Sequence, residues 1–202
     1  MDRGLRFGPL GRDAVHLCID MQRLFSEPTD WHTPAMAHVT PPIVRISAHA
    51  PERAIFTRFW APQHLQDAKG QWQTYYQRWQ GVLAHRNDDD LYGLIPELRP
   101  FVPPGQTLDK FGFSAFDAPE LDPMLDRLGA KTLIVTGVET DVCVLSTLFA
   151  AIDRGHRIVL VDDAVASSDL ASHAATLAHI IPRFDRQIEV IDTETLLTHW
   201  TP

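Results

Sequence analysis

The sequence predicts an α/β fold, a three-layer, doubly wound and mostly parallel β-sheet with helices on both faces. Short strand-like runs alternate along the chain with longer helical patterns, and units of this kind make right-handed crossovers between parallel strands. In addition, the continuous apolar runs at residues 133–135 and 158–161 are typical of strands that are buried on both faces. Ligands bind such sheets beyond the carboxyl ends of the strands, which is where functional residues are expected.

The elements follow one another in a regular order. Strands are expected at residues 14–19, 54–59, 107–110, 132–135, 157–161 and 187–191. Helices are expected where apolar residues recur at helical spacing, at residues 43–50, 121–128, 141–154 and 171–181. Residues 60–105 are less regular. There Trp72, Tyr75, Tyr76 and Trp79 share a helical spacing, which indicates a core or subunit contact.

Composition narrows the class of protein. A chain of 202 residues suits a single domain over residues 1–202, and 45% hydrophobic with 22% charged residues is ordinary for a globular protein. The net charge of −8 argues against nucleic acid or an anionic membrane as a partner and leaves a small-molecule substrate. With two cysteines, no signal peptide and no apolar run of membrane-spanning length, a cytoplasmic location is expected.

Three chemically useful side chains follow three predicted strands. Asp20 comes directly after the first strand, Lys110 ends the strand at 107–110, and Cys143 begins the helix expected after residues 132–135. A helix N-terminus favours a thiolate, a carboxylate can carry the thiol proton, and an ammonium can stabilise the charged pair. Each residue also has an ordinary structural interpretation: a helix cap, a surface lysine and a buried core thiol.

Three segments in this order resemble a known family. They are CIDMQ at residues 18–22, DKFGFSAF at residues 109–116 and TGVETDVCV at residues 136–144, and residues 151–167 extend the match. The chain resembles the isochorismatase-like cysteine hydrolases, which include nicotinamidases, N-carbamoylsarcosine amidohydrolase and biuret-type amidohydrolases. The resemblance implies the isochorismatase-like hydrolase fold over nearly the whole chain and assembly as a homodimer or homotetramer.

The resemblance also implies roles for individual residues. Asp20, Lys110 and Cys143 match the family's catalytic triad, in which the cysteine attacks a carbonyl carbon and the aspartate carries the proton. A cis peptide is implied between Val138 and Glu139, and the backbone N–H groups of Glu139 and Cys143 are implied as the oxyanion hole. The expected activity is therefore hydrolysis of a C–N bond in a small amide, ureide or N-carbamoyl compound, without a cofactor.

The chain departs from the metal-containing members of the family. After the second strand it reads TRFWAP at residues 57–62, with no Asp-x-His pair, and His64 is a lone histidine, so no metal is predicted. Arg58 ends that strand and is either a bidentate clamp for a substrate carboxylate or part of a salt bridge. Phe25, Trp60 and Phe116 are candidate walls of the substrate pocket, with core packing as the alternative.

Two other functions stay open from the sequence. An isochorismatase-type vinyl ether hydrolase would use Asp20 as an acid and would not depend on Cys143. A non-catalytic relative would bind a ligand or partner through the same pocket. A dinucleotide-binding fold is disfavoured, because Asp20, Met21 and Gln22 follow the first strand where a glycine-rich phosphate turn is needed.

Overall fold

A six-stranded, all-parallel sheet organises the computed structural model, which describes residues 4–202. The strand order is β3-β2-β1-β4-β5-β6. The strands are β1 (Ala14–Ile19), β2 (Ala54–Phe59), β3 (Gln106–Lys110), β4 (Thr132–Val138), β5 (Arg157–Ala166) and β6 (Ile188–Ile191). The order of the strands reverses beside β1, so the carboxyl ends of β1, β2 and β4 flank the topological switch point.

Helices connect the strands and cover the sheet. They are α1 (Arg23–Ser26), α2 (Met36–His49), α3 (Trp72–Arg78), α4 (Leu121–Arg127), α5 (Leu145–Asp153), α6 (Leu170–Ala175) and α7 (Thr193–His199). Right-handed crossovers place α2 on one face of the sheet and α4 and α5 on the other. The helix α7 packs against α2. Helices on both faces of the sheet give the predicted three layers.

Five of the predicted elements differ clearly from their predicted bounds or helix type in the structure. The strands β4 and β5 continue past their apolar runs. Gly137 and Val138 of β4 remain paired there with Val165 and Ala166 of β5. The helix α2 begins at Met36, seven residues before the prediction, and contains Pro41 and Pro42, which the sequence pattern favours as helix breakers. The helices expected at 141–154 and 171–181 are each part α-helix and part π-helix.

The strands β1 and β4 approach closely at their carboxyl ends. Ile19 pairs with Gly137, and Gly137 has a φ of +108°. A Cβ at this position would lie 2.0 Å from the backbone oxygen of Ile19, so only glycine fits. This close approach brings the residues that follow β1 beside the turn that follows β4.

The irregular stretch between β2 and β3 consists of α3 and several short 3₁₀ turns. The aromatic residues at helical spacing do lie on or next to α3, and Tyr76 is fully buried against the core. In the described part of the chain, no helix has the length and apolarity needed to span a membrane.

Candidate active site

Asp20 is the first residue after β1 and is fully buried. Its backbone has a φ of 51°, a left-handed conformation that aspartate tolerates better than most residues. Thr57 on β2 holds it twice: the Thr57 hydroxyl donates to Asp20 Oδ1 at 2.6 Å and accepts from the Asp20 backbone N–H at 3.0 Å. The carboxylate is therefore oriented by the neighbouring strand.

Lys110 ends β3 and is also fully buried. Its Nζ lies 2.8 Å from Asp20 Oδ2 and donates to the carbonyl oxygens of Gly112 at 3.1 Å and Phe113 at 3.0 Å. An ion pair with Asp20 and two hydrogen bonds to backbone carbonyls therefore hold the ammonium. Burial by itself lowers the Lys110 pKa, but the charge of the Asp20 carboxylate outweighs it and the pKa lies above its usual value.

Cys143 lies in an irregular turn after β4. The peptide bond between Val138 and Glu139 is cis, and Thr140–Val144 form one π-helical turn before α5 begins at Leu145. The sequence predicted Cys143 in the first turn of a helix, and the structure confirms this. That turn is π-helical, and such turns recur at functional sites.

The Cys143 thiol is buried, and Lys110 and Asp20 are the nearby charged groups that act on its pKa. Burial raises the pKa of the Cys143 thiol well above its usual value, the Lys110 charge lowers it, and the Asp20 charge raises it again. Loss of solvation therefore opposes the thiolate that the helix terminus and the ammonium favour. The Asp20 carboxylate is the candidate base for the thiol proton.

Glu139 supports the turn through its side chain. Glu139 Oε1 accepts from the Thr33 hydroxyl at 3.2 Å and from the Ser168 backbone N–H at 2.8 Å. Its backbone oxygen accepts from the N–H groups of Val142 and Val144, each at 3.1 Å. Glu139 thus ties the Cys143 turn to the loop before α2 and to the loop after β5.

A cavity of about 40 Å³ lies over Cys143. Aromatic rings form most of its wall, and Glu139 and Val142 complete it. The rings belong to Phe25, Trp31, Phe59, Tyr75 and Phe113. The cavity is therefore small, apolar and next to the thiol.

Three residues that the sequence suggested for the substrate pocket lie elsewhere. Arg58 forms a bidentate ion pair with Asp109 on β3, at 2.6 and 2.8 Å, since its side chain leaves β2 on the side opposite Thr57 and Phe59. Trp60 stacks on Tyr92, with ring centroids 4.6 Å apart. Of the four candidates, only Phe25 lines the cavity at Cys143.

Phe116, the third of these residues, packs under the guanidinium of Arg154, 4.2 Å from its ring centroid, and beside His156. Trp60 borders a separate cavity of about 580 Å³, next to Phe111 and Trp72. Phe116 therefore fits the packing alternative, whereas Trp60 borders a cavity other than the one at Cys143.

A family model for the isochorismatase domain matches residues 14–195. The chain belongs to the isochorismatase family. The matched segment spans every strand from β1 to β6 and contains Asp20, Lys110 and Cys143.

Several curated proteins are similar in sequence to segments of this chain. It is 34% identical over 77 residues to nicotinamidase 3 of Arabidopsis thaliana, covering 38% of this chain and 39% of that protein. It is 37% identical over 97 residues to ureidoacrylate amidohydrolase RutB of Pantoea ananatis, covering 47% and 38%. A match to the isochorismatase family protein PncA of Bacillus subtilis is 35% identical over 102 residues and covers 49% and 56%. The chain thus spans about half or less of the length of the curated relatives it matches.

Solved structures share the fold over nearly the full length. A cysteine hydrolase from Pseudomonas syringae pv. phaseolicola superposes with a TM-score of 0.79 at 24% identity, covering 98% of each chain. N-carbamoylsarcosine amidase from Thermoplasma acidophilum gives a TM-score of 0.70 at 20% identity, covering 90% of this chain and 97% of that one. At this identity the likeness establishes the fold.

A metal does not fit this family member's side chains. A pyrazinamidase of Pyrococcus horikoshii with the same fold was solved in complex with zinc. Residues 4–202 here contain no group of three or more His, Cys, Asp or Glu side chains that could hold a metal. His64 stacks on His85 with ring centroids 4.6 Å apart, but two imidazoles alone do not make a metal site.

The sequence did not indicate several residues of the site. Thr57 orients Asp20, and Gln22 joins β1 to β2 through its amide, which accepts from Phe59 N at 2.7 Å and donates to Phe59 O at 3.1 Å. Trp31 and Tyr75 come from irregular segments and line the cavity. Gln22 lies inside the CIDMQ motif, which was a usable signal, whereas the other three depend on tertiary packing.

Proposed function

We propose that this isochorismatase-family protein is a cysteine amidohydrolase that cleaves a C–N bond of a small amide, ureide or N-carbamoyl compound. The observation that carries the proposal is the buried pair of Asp20 and Lys110 beside the Cys143 thiol. Burying two opposite charges is costly unless they are paired and hydrogen-bonded, and here both are. Placing that pair against a thiol gives the thiol a base, which core packing alone does not need.

The first half of the reaction uses all three residues. Asp20 accepts the thiol proton as the Cys143 sulfur attacks the substrate carbonyl carbon. The tetrahedral intermediate then collapses, the C–N bond breaks, and Asp20 returns the proton to the leaving nitrogen. An acyl thioester on Cys143 and a free amine or ammonia result, while Lys110 stays cationic and keeps Asp20 in position.

The second half regenerates the thiol. Asp20 takes a proton from a water molecule, whose oxygen attacks the thioester carbonyl. When the C–S bond breaks, the carboxylic acid product leaves and the sulfur recovers the proton from Asp20. In both halves, we assign the backbone N–H groups of Glu139 and Cys143 to the oxyanion, because the turn that contains them directly adjoins the thiol.

Ammonia release from primary amides, ureides and N-carbamoyl acids tests the proposal. Wild-type protein is expected to turn over at least one compound, and Cys143→Ala is expected to lose at least about 10³-fold in kcat, since it lacks the nucleophile. Cys18→Ala is the matched control, because Cys18 is a buried core thiol on β1 whose removal leaves the site intact.

The outcomes separate the alternative functions. Activity that survives in Cys143→Ala would overturn the nucleophile assignment and favour acid catalysis by Asp20, as in vinyl ether hydrolysis. Stoichiometric binding of a panel compound without turnover would favour a non-catalytic binding protein. We further propose a homodimer or homotetramer, which sedimentation velocity of the wild-type protein tests directly.

A further inference from the structure

The cavity over Cys143 is too small for a substrate as it stands. Its volume of about 40 Å³ is close to that of one water molecule. Any amide that reaches the thiol must therefore displace part of the aromatic wall. Trp31 contacts three other rings of that wall: it stacks on Phe25 at 5.9 Å, meets Phe59 edge-on at 5.4 Å and is tilted against Tyr75 at 6.0 Å.

The charges around the cavity disfavour an anionic substrate. Among the described residues that line it, none is a lysine, arginine or histidine, and Glu139 is a carboxylate. The charge of Lys110 is paired with Asp20, and the charge of Arg58 is paired with Asp109. A substrate carboxylate would lose its hydration here without gaining a cation, which is strongly unfavourable. An uncharged compound does not meet this barrier.

One polar group of the wall lacks a partner. The Nε1 of Trp31 is buried, and no acceptor lies within hydrogen-bonding distance of it in residues 4–202. Buried N–H groups are almost always paired, and an unpaired one is destabilising. Trp31 also lines the cavity beside Cys143, so a ligand that displaces the wall can supply the acceptor that Nε1 lacks.

We propose that Trp31 is a substrate-binding residue, whose indole N–H donates to an oxygen or nitrogen acceptor of an uncharged, planar amide held between the aromatic walls at Cys143. The inference rests on the proposed function, since it names the substrate class of the same site. Binding at Cys143 can nevertheless be measured without turnover, so the two proposals fail separately.

Alkylation of Cys143 supplies the probes. Iodoacetamide carries an uncharged amide, iodoacetate a carboxylate, and methyl iodide neither. Each alkylation rate constant is divided by that of glutathione with the same reagent. For wild-type Cys143 this ratio is expected to be at least about tenfold higher with iodoacetamide than with iodoacetate. Trp31→Phe is expected to slow the alkylation of Cys143 by iodoacetamide by roughly three- to tenfold, the usual effect of losing one hydrogen bond. The rate of methylation by methyl iodide should not change. Trp60→Phe is the matched control, because its Nε1 is also buried and unpartnered in residues 4–202 but lies outside this cavity.

Two results would overturn the proposal. Equal relative alkylation rates with iodoacetate and iodoacetamide would show that the cavity accepts anions. An unchanged rate of alkylation by iodoacetamide in Trp31→Phe would show that the indole N–H does not bind the amide. A measurement on unmutated Trp31 covers the case in which the variant does not fold. In ¹⁵N-labelled protein, the Trp31 indole proton should shift downfield when Cys143 carries a carbamidomethyl group and not when it carries a methyl group; an identical spectrum would also refute the inference.

Discussion

At the residue scale, a threonine decides how the acid is held. Thr57 both donates to the Asp20 carboxylate and accepts from its backbone N–H. Its hydroxyl is a fixed contact within the sheet, so it orients Asp20 before any substrate arrives. Thr57 is a positioning residue, because its contacts are with Asp20 and not with the cavity.

Replacing Thr57 by valine should lower kcat by roughly 10- to 100-fold and leave KM nearly unchanged, because a misoriented Asp20 transfers protons poorly while the cavity wall is intact. Thr57→Ser retains the hydroxyl and should keep most of the activity. Steady-state kinetics on the best amide measures both. A rise in KM at constant kcat in Thr57→Val would instead place Thr57 in substrate binding.

His16 makes the fold sensitive to acid. It is fully buried on β1, its Nε2 hydrogen-bonds to Thr136 Oγ1 at 2.8 Å, and burial lowers its pKa from 6.5 to about 3. Below pH 6.5 the unfolded chain binds a proton at His16, whereas the folded chain does not bind it until about pH 3. The free energy of unfolding therefore falls as the pH drops across this window.

For this one residue, the expected loss is roughly 2 kcal/mol between about pH 7 and pH 5. In His16→Gln, which keeps an amide donor for Thr136 and does not titrate, that part of the loss should disappear. Urea denaturation of both proteins at the two pH values gives the comparison. Parallel losses in the two proteins would show that His16 does not control acid stability.

At the scale of elements, the site depends on how closely β1 and β4 approach. Gly137→Ala should destabilise the protein by more than about 4 kcal/mol, because its Cβ would overlap the Ile19 oxygen and the backbone has positive φ. Gly155→Ala is the control: Gly155 also has positive φ, but within residues 4–202 no atom lies within 4 Å of the point that its alanine Cβ would occupy, so roughly 1 kcal/mol is expected.

Urea unfolding of the two alanine variants makes this comparison. Similar losses in both would mean that backbone conformation alone, and not the contact with β1, restricts Gly137. The expected large difference would show that the close pairing of β1 and β4, which brings Asp20 to the Cys143 turn, requires that residue 137 have no side chain.

At the scale of the whole molecule, the cavity joins segments that are far apart in sequence. Phe25 and Trp31 follow β1, Phe59 ends β2, Tyr75 lies on α3, and Cys143 follows β4. None of the local patterns in these segments predicts the contact. The sheet order, with β1 between β2 and β4, is what brings them together.

The sequence by itself determined the α/β class, six strands within a few residues of their observed bounds, and the sites of Asp20, Lys110 and Cys143 at strand ends. These follow from local periodicity and from the motifs that carry the family resemblance. Tertiary structure decided the rest. Burial raises the pKa of the Cys143 thiol, strand pleating turns Arg58 away from the cavity toward Asp109, and packing brings Trp31 to the cavity at Cys143. Solvation and side-chain direction depend on neighbours that are distant in the chain, so no local pattern could reveal them.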